Sequence, residues 1–206
     1  MRKKTGKTTA KKVDLLKLIK NRRTIRKYQD RPISKRILNK IIEAGVWGPS
    51  VHGIQPWQFL VINNASFIKE VAKILLRRSM EKEIAGRILL DSTANTINNA
   101  PLLIAVYNNK EVVKLAEKFG DGYKPFARIA EISASSAAIQ NMLLMASALG
   151  VGACWLDMPL FCQNEINKFL NVKEEKLVAI LTLGYPAEKG KRSQRKLINK
   201  IMRCIP

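Results

Sequence analysis

The sequence predicts an α+β fold, and three observations carry that expectation. Two short, unbroken apolar runs, WQFLVI and LLIAVY, have the length and composition of buried strands. Between and around them lie segments with a helical apolar period and N-cap residues. The longest helical segment contains ISASSAAIQNMLLMA, where small residues let another backbone approach closely, as a central packing helix requires. No internal repeat, low-complexity stretch or linker divides the 206 residues. A single domain of this size buries roughly 70% of the surface its unfolded chain would expose.

In chain order, residues 1–12 (MRKKTGKTTAKK) read as a basic arm ahead of one domain over 13–206. Val13–Asn21 places Leu15, Leu16, Leu18 and Ile19 on a helical face. Ser34 is suited to cap a helix whose apolar set is Ile37, Leu38, Ile41 and Ile42, with Gly45 as its stop. Trp57–Ile62 reads as a buried strand, and Asn63-Asn64 turns it into a helix over Ser66–Arg78. Leu102–Tyr107 is a second strand, and Arg128–Leu149 is the long helix. Gly152–Leu156 and Leu177–Leu183 supply two further strands, with a short helix over Glu165–Leu170 between them.

Charge is the one compositional feature out of line. The chain has 37 Lys and Arg against 16 Asp and Glu, a net charge of +21. Six of those charges lie in residues 1–12, leaving +15 on the remainder. Such a field attracts nucleic acid, anionic membrane and phosphorylated small molecules alike. Aromatic residues are not interleaved with the basic runs as a base-stacking surface requires, so a solvated cationic surface is favoured over a dedicated nucleic-acid site. No run approaches the roughly 18 to 20 apolar residues that span a bilayer, and the N-terminus lacks a signal-peptide core. Cys154, Cys162 and Cys204 are odd in number and lack metal-ligand spacing, which suggests reduced thiols and a cytoplasmic protein.

Most catalytic constellations fail on inspection. His52 is the only histidine, too few for a multi-histidine metal site, and no Ser-His-Asp pattern stands out. TGKTT lacks the first glycine of a P-loop, and Gly150-Val151-Gly152 lacks the third glycine of a dinucleotide fingerprint. Asn64-Ala65-Ser66 fits a glycosylation sequon but reads as a turn. One segment does suit a ligand. In RRTIRKY, an extended backbone puts Arg22, Thr24 and Arg26 on one side and Ile25 on the other. Fork-shaped guanidinium donors with a hydroxyl form an anion cradle suited to a terminal phosphate, although a solvated basic turn has the same composition.

Four segments in order, RRTIRKYQDRPI, GPSVHGIQPWQFLVI, AAIQNMLLMASALGVGACWLDMPL and LTLGYPAEKGKRSQRKL, resemble the landmarks of the nitroreductase family of FMN-dependent oxidoreductases. The resemblance runs from about residue 14 to about residue 200. It implies a three-layer α+β sandwich with a central, mostly antiparallel sheet flanked by helices. It also implies an intimate homodimer with an FMN in each of two clefts between the subunits. By that resemblance Arg22, Arg23, Thr24 and Arg26 form the first cofactor segment, with Arg22 and Thr24 near the phosphate and Arg26 nearer the pyrimidine end. Pro49, Ser50 and Val51 pass their backbone along the flavin, and Gln55-Pro56-Trp57 turns the chain into the central strand. Gly53 stands where the family usually has Asn, and His52 is either an ordinary loop histidine or a replacement for that contact. Trp47 and Trp57 read first as packing residues and second as walls of the substrate cleft.

The resemblance places Asp157-Met158 where a backbone N–H faces the flavin nitrogen that accepts the hydride, and Arg195, among Arg192, Arg195 and Lys196, as a second phosphate contact. It implies transfer of hydride from NADH or NADPH through FMN to a nitroaromatic, quinone or similar small oxidant, with no protein nucleophile and no metal. Related scaffolds reduce free flavin, dehalogenate phenols, oxidise peptide heterocycles or fragment flavin. The basic charge leaves one reading from another class, a nucleic-acid or membrane-surface binder on this fold.

Overall fold

The computed structural model describes residues 14–81 and 86–205. Two strands so apolar that both their faces must be covered set its plan. These are β2 (Leu102–Asn108) and β4 (Lys176–Gly184), which pair antiparallel at the centre of a sheet. β1 (Trp57–Ile62) flanks β2 and β3 (Gly152–Leu156) flanks β4, both antiparallel, giving the order β1-β2-β4-β3. Alternation along β2 sends Leu103, Ala105 and Tyr107 to one face and Leu102, Ile104 and Val106 to the other.

The first face is covered by α3 (Ala65–Ser79), α4 (Arg87–Asn98) and α7 (Gln163–Leu170), which bury Val71, Leu75, Leu90, Ile97 and Ile166 there. The second is covered by α2 (Lys35–Val46) and α6 (Lys124–Ala148), through Ile41, Ile139, Met142 and Ala146. The result is the expected three-layer α+β sandwich on an antiparallel sheet. Local signals act as read: Ser34 accepts from the Ile37 amide at the start of α2, and Asn64 accepts from the amides of Ser66 and Phe67 at the start of α3. The first helix, α1 (Leu15–Asn21), is capped by Asp14 and buries none of its residues within the chain. The basic arm over residues 1–12 lies outside the described residues.

Three expectations are corrected, and two helices are added. Gly45 does not stop α2 but lies buried inside it; a Cβ there would come within 2.9 Å of the Met142 side chain, so the glycine permits close packing of α2 on α6. β1 is an edge strand rather than a central one, buried only at Trp57 and Ile62. Trp57 packs against Ala134 and Ala138, whereas Trp47, expected to pack, is 79% exposed at the end of α2. Two helices lie where none was expected: α4 buries Leu90, Ala94 and Ile97 at helical spacing but begins after Gly86 without a side-chain cap, and α5 (Glu111–Ala116) has only six residues. Among the described residues no helix is long and apolar enough to cross a membrane.

Candidate functional site

The residues after α1 run extended along the outer edge of the sheet. Thr24 forms a parallel bridge with Ala153 of β3, and the Ile25 amide donates to the Ala153 carbonyl at 3.0 Å. On its other side the segment meets the chain leaving β4: the Gln29 amide donates to Tyr185 at 2.8 Å and the Ala187 amide to Lys27 at 2.9 Å. Ile25 turns inward and is buried against Gly152, where a Cβ would come within 2.8 Å of it. The Tyr28 hydroxyl donates to the Ile25 carbonyl at 2.6 Å and lies 2.7 Å from Thr182 Oγ1. Burial pushes this phenol far above its ordinary range, so it remains a neutral strut.

With Ile25 fixed inward, Arg22, Thr24 and Arg26 line a cavity of about 470 Å³. The structure brings five of the sequence-derived candidates to that cavity: Arg22, Arg23, Thr24, Arg26 and Arg195. Of the C-terminal basic group, Arg195 lines it, while Arg192 and Lys196 are not among the lining residues. The part of Arg23 is narrower. Its Nη1 donates to the carbonyls of Lys20 and Arg22, at 2.7 and 2.9 Å, and thereby closes the end of α1. Lys27, Glu188, Lys189, Lys191 and Ser193 also line the cavity and were not singled out from sequence. Lys27 sits inside RRTIRKY, and the signal of the other four was the run EKGKRS, which is indistinguishable from a solvated basic tail until the fold returns it to Arg22. Glu188 Oε1 accepts from the backbone amides of Arg26 and Lys27, at 2.7 and 3.2 Å.

Asp157 and Met158 follow β3 and are not among the residues lining this cavity. Asp157 Oδ1 accepts from the Trp155 indole at 2.6 Å, and Met158 packs on the α3–α4 core. Burial pushes the Cys154 thiol up, above its ordinary range, with Arg26 and Arg22 opposing that shift.

The remaining candidates, Pro49, Ser50, Val51, Gly53 and Gln55, form a separate feature. The backbone turns tightly here: Ser50 Oγ accepts from the Gln55 amide at 3.1 Å, and the Ile54 amide donates to Val51 at 2.9 Å. His52, Gly53 and Gln55 have φ of 47°, 70° and 54°. Glycine adopts this left-handed region without strain, and asparagine is among the few other residues that visit it. Val51 and Ile54 pack on Val112, Ala116 and Ala127 of α5 and α6. Gly48 approaches the Ala138 backbone so closely that a Cβ would meet it at 3.0 Å. None of the five loop candidates is among the described residues that line the Arg22 cavity.

The model of the nitroreductase family matches residues 19–185. A Methanothermobacter thermautotrophicus protein with the provisional name NADH dehydrogenase/NAD(P)H nitroreductase is 31% identical over 180 residues, 86% of this chain and 80% of that one. The chain belongs to the nitroreductase family. Solved structures agree with its fold: a BluB-like flavoprotein from Clostridium difficile has a TM-score of 0.78 at 26% identity, covering 95% of this chain and 100% of that one. A Desulfovibrio desulfuricans protein solved in complex with FMN has a TM-score of 0.71 at 27% identity, covering 95% of this chain and 99% of that one. In this nitroreductase-family chain, Glu188 and Arg195 lie beyond the matched residues.

Proposed function

We propose that this nitroreductase-family protein is a homodimeric, cytoplasmic NAD(P)H-dependent oxidoreductase that works through bound FMN. The observation that carries the reading is the convergence of Arg22, Thr24, Arg26 and Arg195, from opposite ends of the chain, on one cavity. At about 470 Å³ the cavity falls within the roughly 300–1,000 Å³ of small-molecule sites. Guanidinium forks and a hydroxyl there match the chemistry of a terminal phosphate. When bound, FMN supplies the redox chemistry, taking a hydride from NADH or NADPH and passing electrons to a small oxidant such as a nitroaromatic or quinone.

The protein's own residues bind and tune. Arg22, Thr24 and Arg195 hold the phosphate. Arg26 sets a positive charge where negative charge develops at the pyrimidine end. The backbone at Asp157-Met158 offers the N–H near the reacting nitrogen. The Pro49–Gln55 loop, which does not line the cradle of its own chain, belongs to the same site through a second protomer. Three unpaired cysteines suit a reducing compartment.

The test is the absorption spectrum of the purified protein, followed by NADH and NADPH oxidation with a nitroaromatic, a quinone and free FMN as acceptors. A flavin spectrum and acceptor-dependent oxidation are expected. A colourless protein that neither takes up FMN nor oxidises NAD(P)H would overturn the reading.

A further inference from the structure

Glu188 is the only acid among the residues lining the cradle cavity. Surrounded by arginine and lysine, it would be expected to pair with a side chain. Among the described residues it forms no such ion pair; one oxygen instead accepts from the consecutive amides of Arg26 and Lys27. Two consecutive amides aimed at one point make an anion-binding concavity, and here a carboxylate of the same chain fills it. The next peptide completes a clamp, since the Ala187 amide donates to the Lys27 carbonyl. The backbone at 26–27 is therefore held through both its N–H and its C=O groups, while the guanidinium groups of Arg22 and Arg26 are left for a ligand.

We propose that Glu188 is a positioning residue: its carboxylate fixes the backbone of Arg26 and Lys27 so that Arg22, Thr24 and Arg26 face one cavity as an FMN cradle, with Arg22 and Thr24 towards the phosphate and Arg26 towards the pyrimidine end. This rests on the FMN reading. Two effects of the residue oppose one another. Its hydrogen bonds hold the cradle open, whereas its negative charge repels the anion the cradle receives. Substitutions separate them. Glu188→Gln keeps an oxygen that can accept both amides and removes the charge; Glu188→Ala removes both; Glu188→Asp keeps the charge on a side chain one methylene shorter.

Two measurements on the full chain test the idea. Amide hydrogen exchange in the flavin-free protein reads the clamp directly. Arg26 and Lys27 should be protected in the wild type and Glu188→Gln, and should exchange about tenfold faster or more in Glu188→Ala and Glu188→Asp, with β2 amides unchanged. FMN affinity by fluorescence quenching should be at least as tight in Glu188→Gln as in the wild type and roughly tenfold weaker in Glu188→Ala, although those two variants carry the same charge. Equal exchange at Arg26 and Lys27 in all four proteins, or equal FMN affinity in Glu188→Gln and Glu188→Ala, would overturn the positioning role. A wild type that binds no FMN, with the exchange pattern as expected, would overturn the FMN reading and leave the clamp standing. If Glu188→Ala fails to fold, Glu188→Asp against Glu188→Gln decides the same question.

Discussion

Thr24 and Arg26 owe their direction to Ile25 between them, since burying that one side chain turns its neighbours outward in an extended segment. A charge-assisted hydrogen bond to a phosphate contributes about 1.5–3 kcal/mol, so Arg22→Ala should weaken FMN binding by roughly ten- to a hundredfold. The fold should be unaffected, because Arg22 supplies no core contact. Unchanged affinity by fluorescence quenching would reject Arg22 as a phosphate ligand. The cysteines allow a second test at this scale. Cys154 and Cys162 are buried and burial raises both thiols, Cys162 to about 11, while Cys204 is exposed. Because the thiolate is the reactive form, near pH 8 the folded protein should show one fast-reacting thiol per chain towards a disulfide reagent and release two more only in denaturant. Fast reaction of two or more thiols in the native protein would contradict the burial of Cys154 and Cys162.

At the scale of elements, glycines and one buried acid determine which segments can meet. β3 accepts the cradle segment only because Gly152 leaves room for Ile25. Gly152→Ala brings its Cβ to 2.8 Å from the Ile25 Cβ, an atom too close to the backbone to swing away. Overpacking of this kind costs about 1–3 kcal/mol. The variant should lower the urea midpoint and weaken FMN binding together, and a loss of neither would show that the segment shifts freely.

Helix α5 depends on a distant residue. Its N-cap is Lys110, which offers no side-chain hydrogen bond, and the amides of Val112 and Val113 donate instead to Glu131 Oε1 of α6, at 3.0 and 3.2 Å. Burial pushes the Glu131 carboxyl above its ordinary range, against the opposing pull of those amides. A carboxyl whose value is raised in the folded state binds its proton more tightly there than in the unfolded chain. Stability therefore falls as pH rises from the ordinary carboxylate range, about 4.3, through the raised value. Glu131→Gln should lack that fall while keeping an acceptor for both amides. Urea midpoints measured as a function of pH for the two proteins should diverge there, and superimposable profiles would rule out Glu131 as the titrating group.

For the whole molecule, the exposed apolar surface points to a second chain. Leu15, Leu16 and Ile19 on α1, Trp47 after α2, and Phe126, Ile129 and Ile132 on α6 are all exposed in one protomer. On α6 this apolar surface is continuous with Ser133, Ser136 and Ala137, small residues that allow close approach of another backbone. If cradle and loop meet only across a dimer, assembly and FMN binding are linked and each stabilises the other. Ala137→Glu would set unpaired carboxylates near the two-fold axis, and should give a monomer that has lost FMN. Light scattering with an in-line flavin spectrum reads both quantities. A wild-type monomer holding one FMN per chain would reject the arrangement.

What was legible in the sequence was local. β1 and β3 occupy the residues their apolar runs marked, and Ser34 and Asn64 cap the helices they precede, because strand burial and N-capping are satisfied by neighbours within a few positions. The inward turn of Ile25 between Thr24 and Arg26 was readable for the same reason, although Arg23 and Lys27, out of phase with that alternation, line the cavity as well. What only the tertiary structure decided depended on residues far apart in the chain. Gly45 read as a helix stop because sequence cannot show Met142 packed over it, and Trp47 read as core because one residue's apolarity does not say which surface will cover it. At the start of α5 only the Glu111 amide finds a local acceptor, Asn109 Oδ1; the next two amides are closed by Glu131, which reaches them from α6. Arg195 and Glu188 were members of a basic tail until β4 returned that tail to Arg26; sequence specifies which side chains can bind an anion, and the path of the backbone through space specifies which of them share one.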